Sequence, residues 1–256
     1  ETLQTYHDEW YQPERTVVIL AGKLDASAIT QIHDRVNEWF SSIPVKKTGE
    51  MERVIEKQEC PEVRVITKPD AQQAHITLGV RTIPRNNDDR FAWNIFNLLF
   101  GVSFTSRLFK EIREKKGLCY AIRSSSDTYE DVGNWSIYAG VATEKVSEAV
   151  QGIMGELAKV VEKGVTDEEV AVAIKRLKTM IAFRAEDPEF MNEWYGRQEI
   201  YHQPIMTLAD YVKRIESVTK REIDGMVKKY IVPKTLNLAV VWNRKEDEKL
   251  VQLLTI

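Results

Sequence analysis

The stretch Ser106-Arg-Leu-Phe-Lys-Glu-Ile-Arg-Glu-Lys-Lys-Gly-Leu-Cys-Tyr120 predicts a short helix that turns directly into a strand. Ser106 is a residue type that caps the first turn of a helix, and Gly117 is the type that ends one. The strand is predicted to follow over residues 119–126. Arg113 then lies in the last helical turn and Tyr120 in the strand, so their polar ends could meet on one side of the fold.

Arg113 and Tyr120 also have a simpler, structural interpretation. A cation in the last turn of a helix complements the helix dipole, and tyrosine is favoured in strands. Spacing alone therefore leaves open whether the two side chains converge on a ligand.

The sequence around this stretch predicts a sheet covered by helices. Polar and apolar residues alternate at 63–65 and 76–80, which predicts two half-buried strands, and further strands are predicted at 134–141 and 236–242. Apolar residues at helical spacing and two capping boxes predict helices at 91–100, at 146–160, and after Thr166 and Thr219. The predicted fold class is α+β, with an antiparallel-rich sheet and helices packed on one face.

The first 43 residues predict a second, incomplete unit. Residues 16–21 predict a buried strand, and a helix with Asp25 or Ser27 as its cap is predicted to follow. Residues 13–21 also resemble residues 233–241, since each copy follows a tyrosine and places a proline before an apolar run. Taken alone, this repeat is compatible with chance, because proline before an apolar strand is common.

We interpret the repeat as a domain boundary signal. Residues 1–43 are then the terminal strand and helix of a preceding homologous domain, residues 44–62 are a linker, and residues 63–256 form one near-complete domain. A short helix is expected in the tail from Glu246 onward.

Composition excludes several classes of protein. The 256 residues include 36 basic and 39 acidic ones, and this near-balance argues against a nucleic-acid partner. With 43% apolar and 29% charged residues, a soluble globular fold is expected. The longest apolar helical stretch, 91–100, is far short of the roughly 20 residues that span a bilayer. We expect no membrane segment and no secretory signal in this sequence, and the compartment stays open.

Histidine and cysteine patterns do not predict a metal site in this chain. The four histidines, at 7, 33, 75 and 202, include no H-x-x-E-H or H-E-x-x-H pair. His75 begins a strand and is expected to face solvent. Cys60 and Cys119 form no C-x-x-C motif, and no histidine is placed to activate either thiol.

One family resemblance connects these segments. The run from Ser106 to Tyr120, preceded by Asn97-Leu-Leu-Phe-Gly101, resembles the C-terminal homologous domain of the pitrilysin/insulinase family of zinc metallopeptidases. Further matches, in the same order as in that family, are Tyr11-x-Pro13, Gly164-Val-Thr-Asp-Glu-Glu169, Ile215-x-x-Val-Thr219 and Tyr230-x-x-Pro233. The resemblance covers nearly the whole chain.

The resemblance implies a clam-shell of two similar α+β domains around a chamber. In that family one domain carries H-x-x-E-H and a distal glutamate, which bind zinc, and the other carries an arginine and a tyrosine that hold the substrate. Arg113 and Tyr120 match this arginine and tyrosine. The implied partners are a peptide substrate and a zinc-bearing domain or subunit.

The absence of H-x-x-E-H from this sequence leaves two main hypotheses. The first is the substrate-binding, non-zinc part of a zinc endopeptidase, which would not cleave by itself. The second is a natural non-catalytic subunit that binds or scaffolds a heterodimeric peptidase or processing complex. A third is an unrelated interaction domain that has this pattern by chance. Gly101-Val-Ser-Phe104 is unlike the glycine-rich loop of the mitochondrial presequence-processing subunit, which makes that role a poorer match.

Overall fold

The computed structural model describes residues 2–43, 45, 52–245 and 248–255. Its contacts divide the chain into two compact units. The first unit comprises residues 1–53 and 179–211, and the second comprises residues 54–178 and 212–256. Residues 44 and 46–51, which begin the predicted linker, lie outside the described ranges.

Five strands form one sheet in the second unit. They are β1 (Glu62–Thr67), β2 (Gln73–Thr82), β3 (Cys119–Thr128), β4 (Gly133–Ala142) and β5 (Asn237–Trp242). Their order is β1-β5-β2-β4-β3, with β1 and β5 parallel and the other neighbours antiparallel. The predicted α+β class with an antiparallel-rich sheet is confirmed, and β3 lies at an edge of the sheet.

Helices of the second unit pack on one face of its sheet, and the described residues of both units form nine α-helices. In chain order they are α1 (Thr2–Trp10), α2 (Ala26–Phe40), α3 (Arg90–Asn97), α4 (Val146–Lys163), α5 (Asp167–Arg184), α6 (Pro188–Ile200), α7 (Leu208–Glu216), α8 (Lys220–Tyr230) and α9 (Glu248–Val251). Two π-helical segments, Leu98–Val102 and Phe109–Lys115, lie between α3 and β3. Both capping boxes are present: the Thr166 and Thr219 hydroxyls each accept a hydrogen bond from the backbone N–H three residues later.

The sheet has a covered face and an open face, because side chains alternate along each strand. The covered face is buried and includes Ile76, Leu78, Trp135, Ile137 and Val240. The open face carries the alternate residues of the central and edge strands, among them His75, Thr77, Arg123, Ser125, Ser136 and Tyr138. Most of these residues are polar and at least partly exposed.

An aromatic cluster attaches the segment after α3 to the covered face. Trp135 packs against Phe96 and Phe100, with ring centroids 5.4 and 5.5 Å apart. Its indole N–H donates to Asn97 Oδ1 over 2.8 Å, and the same oxygen accepts from Ser124 Oγ at 2.6 Å. These bonds satisfy polar groups inside the cluster. They also hold Asn97, and with it the start of the segment that leads to Ser106, against β3.

The first unit corrects one prediction. Residues 16–21 are extended but belong to no strand in the described structure, so the predicted buried strand is wrong. Val18 and Leu20 are 46% and 49% exposed. A strand needs a neighbour to satisfy its backbone groups, and the described part of the chain pairs none with this segment.

The helix predicted after this segment is confirmed as α2. Asp25 is its cap, since its carboxylate accepts from the Ala28 backbone N–H over 2.8 Å. None of the residues of α2 is buried, although Ile29 and Trp39 are large and apolar. The short tail helix is also present as α9, with residues 246, 247 and 256 outside the described ranges.

Candidate functional site

Arg113 lies in the last turn of the π-helical segment that ends at Lys115. Ser106 starts this helical stretch as predicted, since its hydroxyl accepts from the Phe109 backbone N–H. The Arg113 guanidinium stacks over the Phe109 ring, 4.8 Å from the centroid, and Phe109 meets the Phe104 ring edge to face at 5.2 Å. Within the described residues Arg113 has no ion pair, so stacking orients the guanidinium and leaves its N–H donors for another group.

Gly117 turns the chain from this helix into β3. Its φ of +58° lies in the left-handed region that favours glycine, and the Leu118 N–H donates back to the Ile112 carbonyl over 3.0 Å. Lys145 Nζ also donates to the Gly117 carbonyl at 3.3 Å. The turn is therefore fixed on both sides, and it keeps Arg113 and the start of β3 close along the chain.

Tyr120 is the extra residue of a β-bulge. Cys119 pairs with Val141 of β4 and Ala121 pairs with the next residue, Gly140, so no residue of β4 is left opposite Tyr120. A bulge of this kind re-aims side chains at the start of a strand. Cys119 is buried on the covered face, whereas Tyr120 is 72% exposed. The phenol is thus available to a ligand.

The Arg113 guanidinium lies close enough to the start of β3 to act on the Cys119 thiol. Burial raises the pKa of this thiol to about 11, and the positive charge of Arg113 acts in the opposite direction. Arg113 and Tyr120 are both exposed and neither lies inside packed side chains. Their convergence on one ligand stays a prediction.

Arg107 has a structural role, in contrast to Arg113. Its guanidinium donates to both carboxylate oxygens of Glu169, at 2.5 and 2.7 Å, and to the Gly164 carbonyl at 3.1 Å. Burial alone would raise the pKa of Glu169. The hydrogen bonds from Arg107 and Thr166 together outweigh this effect, so the pKa of Glu169 is lowered. The pair joins the start of the Arg113 helix to the start of α5.

Sequence reasoning missed a second group on the open face. Arg123 stacks over the Tyr138 ring at 5.2 Å, and the Tyr138 hydroxyl is hydrogen-bonded to His75 Nδ1 at 2.8 Å. Strict alternation counted from Tyr120 would have placed Arg123 on the covered face; it lies on the open face with Ala121 because Tyr120 is the extra residue of the bulge. The neighbours in β4 and β2 depend on strand order and register, which no local pattern in the sequence gives.

A cavity of about 640 Å³ also lies on the open face. Thr77 and Ser136 contribute to its lining, and a segment that contains Glu56 and Gln58 forms another part. Gln58 is held to β5 because its amide oxygen accepts from Asn237 Nδ2 at 2.9 Å, and Glu56 forms an ion pair with Arg81. The open face is therefore concave next to the second group.

The described residues do not provide a zinc site. They contain no group of three or more histidine, cysteine, aspartate or glutamate side chains that could hold a metal ion. None of the described helices is long and apolar enough to cross a membrane.

A family model for the peptidase M16 inactive domain matches residues 1–177. The chain belongs to this family. An uncharacterized zinc protease of Mycobacterium tuberculosis is 29% identical to this M16 chain over 235 residues, which are 88% of the chain and 51% of the relative. The M16 chain thus spans about half the length of this curated relative.

Two solved structures share the fold of the M16 chain. A protease from Helicobacter pylori aligns with a TM-score of 0.85 at 18% identity, covering 94% of this chain and 58% of the other. A peptidase M16 inactive domain from Pseudomonas fluorescens aligns at 0.76 and 19% identity, covering 88% and 53%. The predicted resemblance to a zinc-metallopeptidase family is confirmed, and the relatives named zinc proteases support zinc for the complete family.

Proposed function

We propose that this chain is the substrate-binding, non-zinc portion of a zinc-dependent endopeptidase that hydrolyses peptides. Arg113 and Tyr120 hold the peptide in this proposal. The zinc-bearing half, with the H-x-x-E-H motif, is a separate domain or subunit. Membership of the M16 inactive-domain family supports this division, as does the lack of a metal-binding group among the described residues.

The proposal rests on the orientation of the Arg113 guanidinium and on the exposure of the Tyr120 side chain. Arg113 is oriented by Phe109 but has no ion pair in the described structure, and Tyr120 is 72% exposed at a bulge. A purely structural arginine would be expected to resemble Arg107, which is largely buried and forms two bonds to Glu169. Oriented, solvent-accessible donors without a protein partner are typical of groups that bind a ligand.

The two donors suit a peptide carbonyl on which negative charge develops. The Tyr120 hydroxyl can donate one hydrogen bond to that oxygen, and the Arg113 guanidinium can bind a second carbonyl or add positive charge nearby. Removing one such donor in enzymes typically costs about 2.7 to 4 kcal/mol of transition-state stabilisation. In this proposal, the metal chemistry is supplied by the zinc-bearing half.

The first unit provides support for a zinc-bearing neighbour. Val18, Leu20, Ile29 and Trp39 are all at least 46% exposed. Large apolar residues that recur along one strand-like segment and one helix commonly mark a protein interface. We therefore propose that residues 1–43 belong to the preceding homologous domain, as the sequence repeat predicts, and that this domain covers them.

The test is the Tyr120→Phe variant of the complete protein together with its zinc-bearing half. We expect peptide turnover to fall roughly 10² to 10³-fold, because one hydrogen bond to the developing oxyanion is lost. Zinc content, measured by elemental analysis, should not change. Tyr129→Phe is the matched control, since Tyr129 is also exposed, at 53%, and directly follows the last residue of β3, at the end far from Tyr120.

Each outcome has a definite meaning. Equal losses in both variants, or no loss in Tyr120→Phe, would remove Tyr120 from the mechanism. If the wild-type assembly cleaves no peptide and no H-x-x-E-H motif occurs in its subunits, a non-catalytic binding or scaffold subunit replaces the proposal.

A further inference from the structure

Three side chains on the open face form a connected cluster, which we call the Arg123 cluster: Arg123, Tyr138 and His75. They come from the adjacent strands β3, β4 and β2. Arg123 is directly opposite Tyr138 in the register, and its guanidinium lies 5.2 Å from the ring centroid. His75 Nδ1 and the Tyr138 hydroxyl are 2.8 Å apart, and their rings are stacked at 6.0 Å.

In the Arg123 cluster, each side chain holds the next one in place across neighbouring strands. His75 holds the hydroxyl end of Tyr138, and Tyr138 supports the flat face of the guanidinium. Stacking uses only the face of a guanidinium, so the N–H donors along its edge stay available. Tyr138 and His75 are therefore positioning residues, and Arg123 is the group that can contact a ligand.

The floor beside the cluster is made of small residues. Gly140 of β4 lies opposite Ala121 on one side and His75 on the other, and the Gln73 amide and the Tyr138 hydroxyl lie 3.0 and 3.5 Å from the place where a Gly140 Cβ would be, so the Gln73 side chain borders this floor. Tyr120 immediately precedes Ala121. A peptide that contacts Tyr120 could therefore continue over this floor toward Arg123.

Charge identifies the chemistry that the cluster would recognise. On the same face Arg81 is neutralised by Glu56, whereas Arg123 has no ion pair within the described residues. The preferred partner of an oriented guanidinium is a carboxylate, which can accept two parallel hydrogen bonds from its edge.

We propose that the Arg123 cluster binds the carboxylate of an acidic side chain in the peptide substrate. The inference rests on the proposed peptide-binding function of this chain and names a feature of the substrate. It predicts that the peptidase prefers peptides with aspartate or glutamate at the position that reaches Arg123.

The experiment uses the complete protein with its zinc-bearing half and a set of amidated peptides. Each peptide has one aspartate at a different position, and a matched set has asparagine instead, so the only carboxylate is the tested one. We expect kcat/KM to be roughly 10- to 100-fold higher with aspartate at one position, the range for a hydrogen bond to a charged group. Arg123→Gln should abolish this preference and leave cleavage of the asparagine peptides nearly unchanged.

The matched control is Arg64→Gln. Arg64 is an exposed arginine on β1, at the opposite edge of the sheet, and its side chain also alternates onto the open face. This variant should keep the aspartate preference. For the positioning role, Tyr138→Leu should reduce the preference and Tyr138→Phe should largely restore it, because the phenylalanine ring still supports the guanidinium.

The inference is overturned if the wild type shows no aspartate preference, or if Arg123→Gln keeps it. In either case, cleavage of the asparagine peptides and its dependence on Tyr120 would still support the proposed function. If no peptide is cleaved, fluorescence anisotropy measures binding of the same labelled peptides to this chain. An aspartate preference in binding that Arg123→Gln removes would then support the cluster, and its absence would overturn it.

Discussion

The two faces of the sheet use the same strands for different purposes. On the covered face, Trp135 and Ile137 are at most 1% exposed, and the indole of Trp135 is satisfied by Asn97. On the open face, Ser136 and Tyr138 of the same strand face solvent at least partly, and Tyr138 supports an arginine without an ion pair in the described structure. The covered face is thus buried core, whereas the open face carries exposed polar side chains that a ligand can reach.

If the covered face provides stability and the open face provides binding, substitutions on the two faces should have different effects. Substitutions on the covered face should change the free energy of unfolding, whereas substitutions on the open face should change peptide recognition and little else. The same contrast distinguishes Arg107, which is paired with Glu169, from Arg113 and Arg123.

The largest expected effect is that of Trp135→Ala. This change removes a large side chain that packs against Phe96 and Phe100, and it leaves a cavity in the core. We expect the free energy of unfolding to fall by about 3 to 5 kcal/mol, measured by urea denaturation. The controls are Ser136→Ala and Arg123→Gln on the open face, where we expect changes within about 0.5 kcal/mol. Similar losses on both faces would contradict the division.

A smaller effect is expected for Glu169→Gln, which removes the charge that pairs with Arg107. The pKa of Glu169 is lowered in the folded chain, so its carboxylate stabilises the fold above its unfolded pKa of roughly 4.3, and this contribution is lost as the pH falls through the folded value. We expect the variant to be less stable than the wild type by about 1.5 to 3 kcal/mol at pH 7.

The difference between Glu169→Gln and the wild type should shrink when the urea titrations are repeated near pH 3. Glu168→Gln is the control, because Glu168 is the exposed neighbour at the start of the same helix. A loss that is equal at both pH values would show that the Arg107 ion pair does not carry the stabilisation.

Most of the fold could be predicted because its signals are local. Alternation identified the segments that became β1 and β2, and Ser106, Thr166 and Thr219 identified helix starts that the structure confirms. Strand order could not be predicted, since it depends on contacts between residues far apart in the sequence. For the same reason the sequence indicated Arg113 and Tyr120, which a family motif joins, but not Arg123, Tyr138 and His75, which only the register brings together.

The two repeated segments show where local reasoning fails. Both contain a short 3₁₀ turn, Pro13–Arg15 and Pro233–Thr235, and in both the residue after the turn donates to the proline carbonyl at 3.1 Å. The second copy continues as β5 between β1 and β2, while the first belongs to no strand in the described structure. Equal local sequence signals gave a strand only where neighbouring strands were present to pair with it.

The most direct test of the account is a crystal structure of the complete protein, with its zinc-bearing half, bound to an uncleaved peptide. The zinc-bearing half would carry a substitution of its catalytic glutamate so that the peptide stays intact. We predict that the peptide lies on the open face, with the Tyr120 hydroxyl within about 3.2 Å of a peptide carbonyl oxygen and the Arg113 guanidinium in contact with the same peptide. A bound peptide that touches neither Arg113 nor Tyr120 would contradict the central claim.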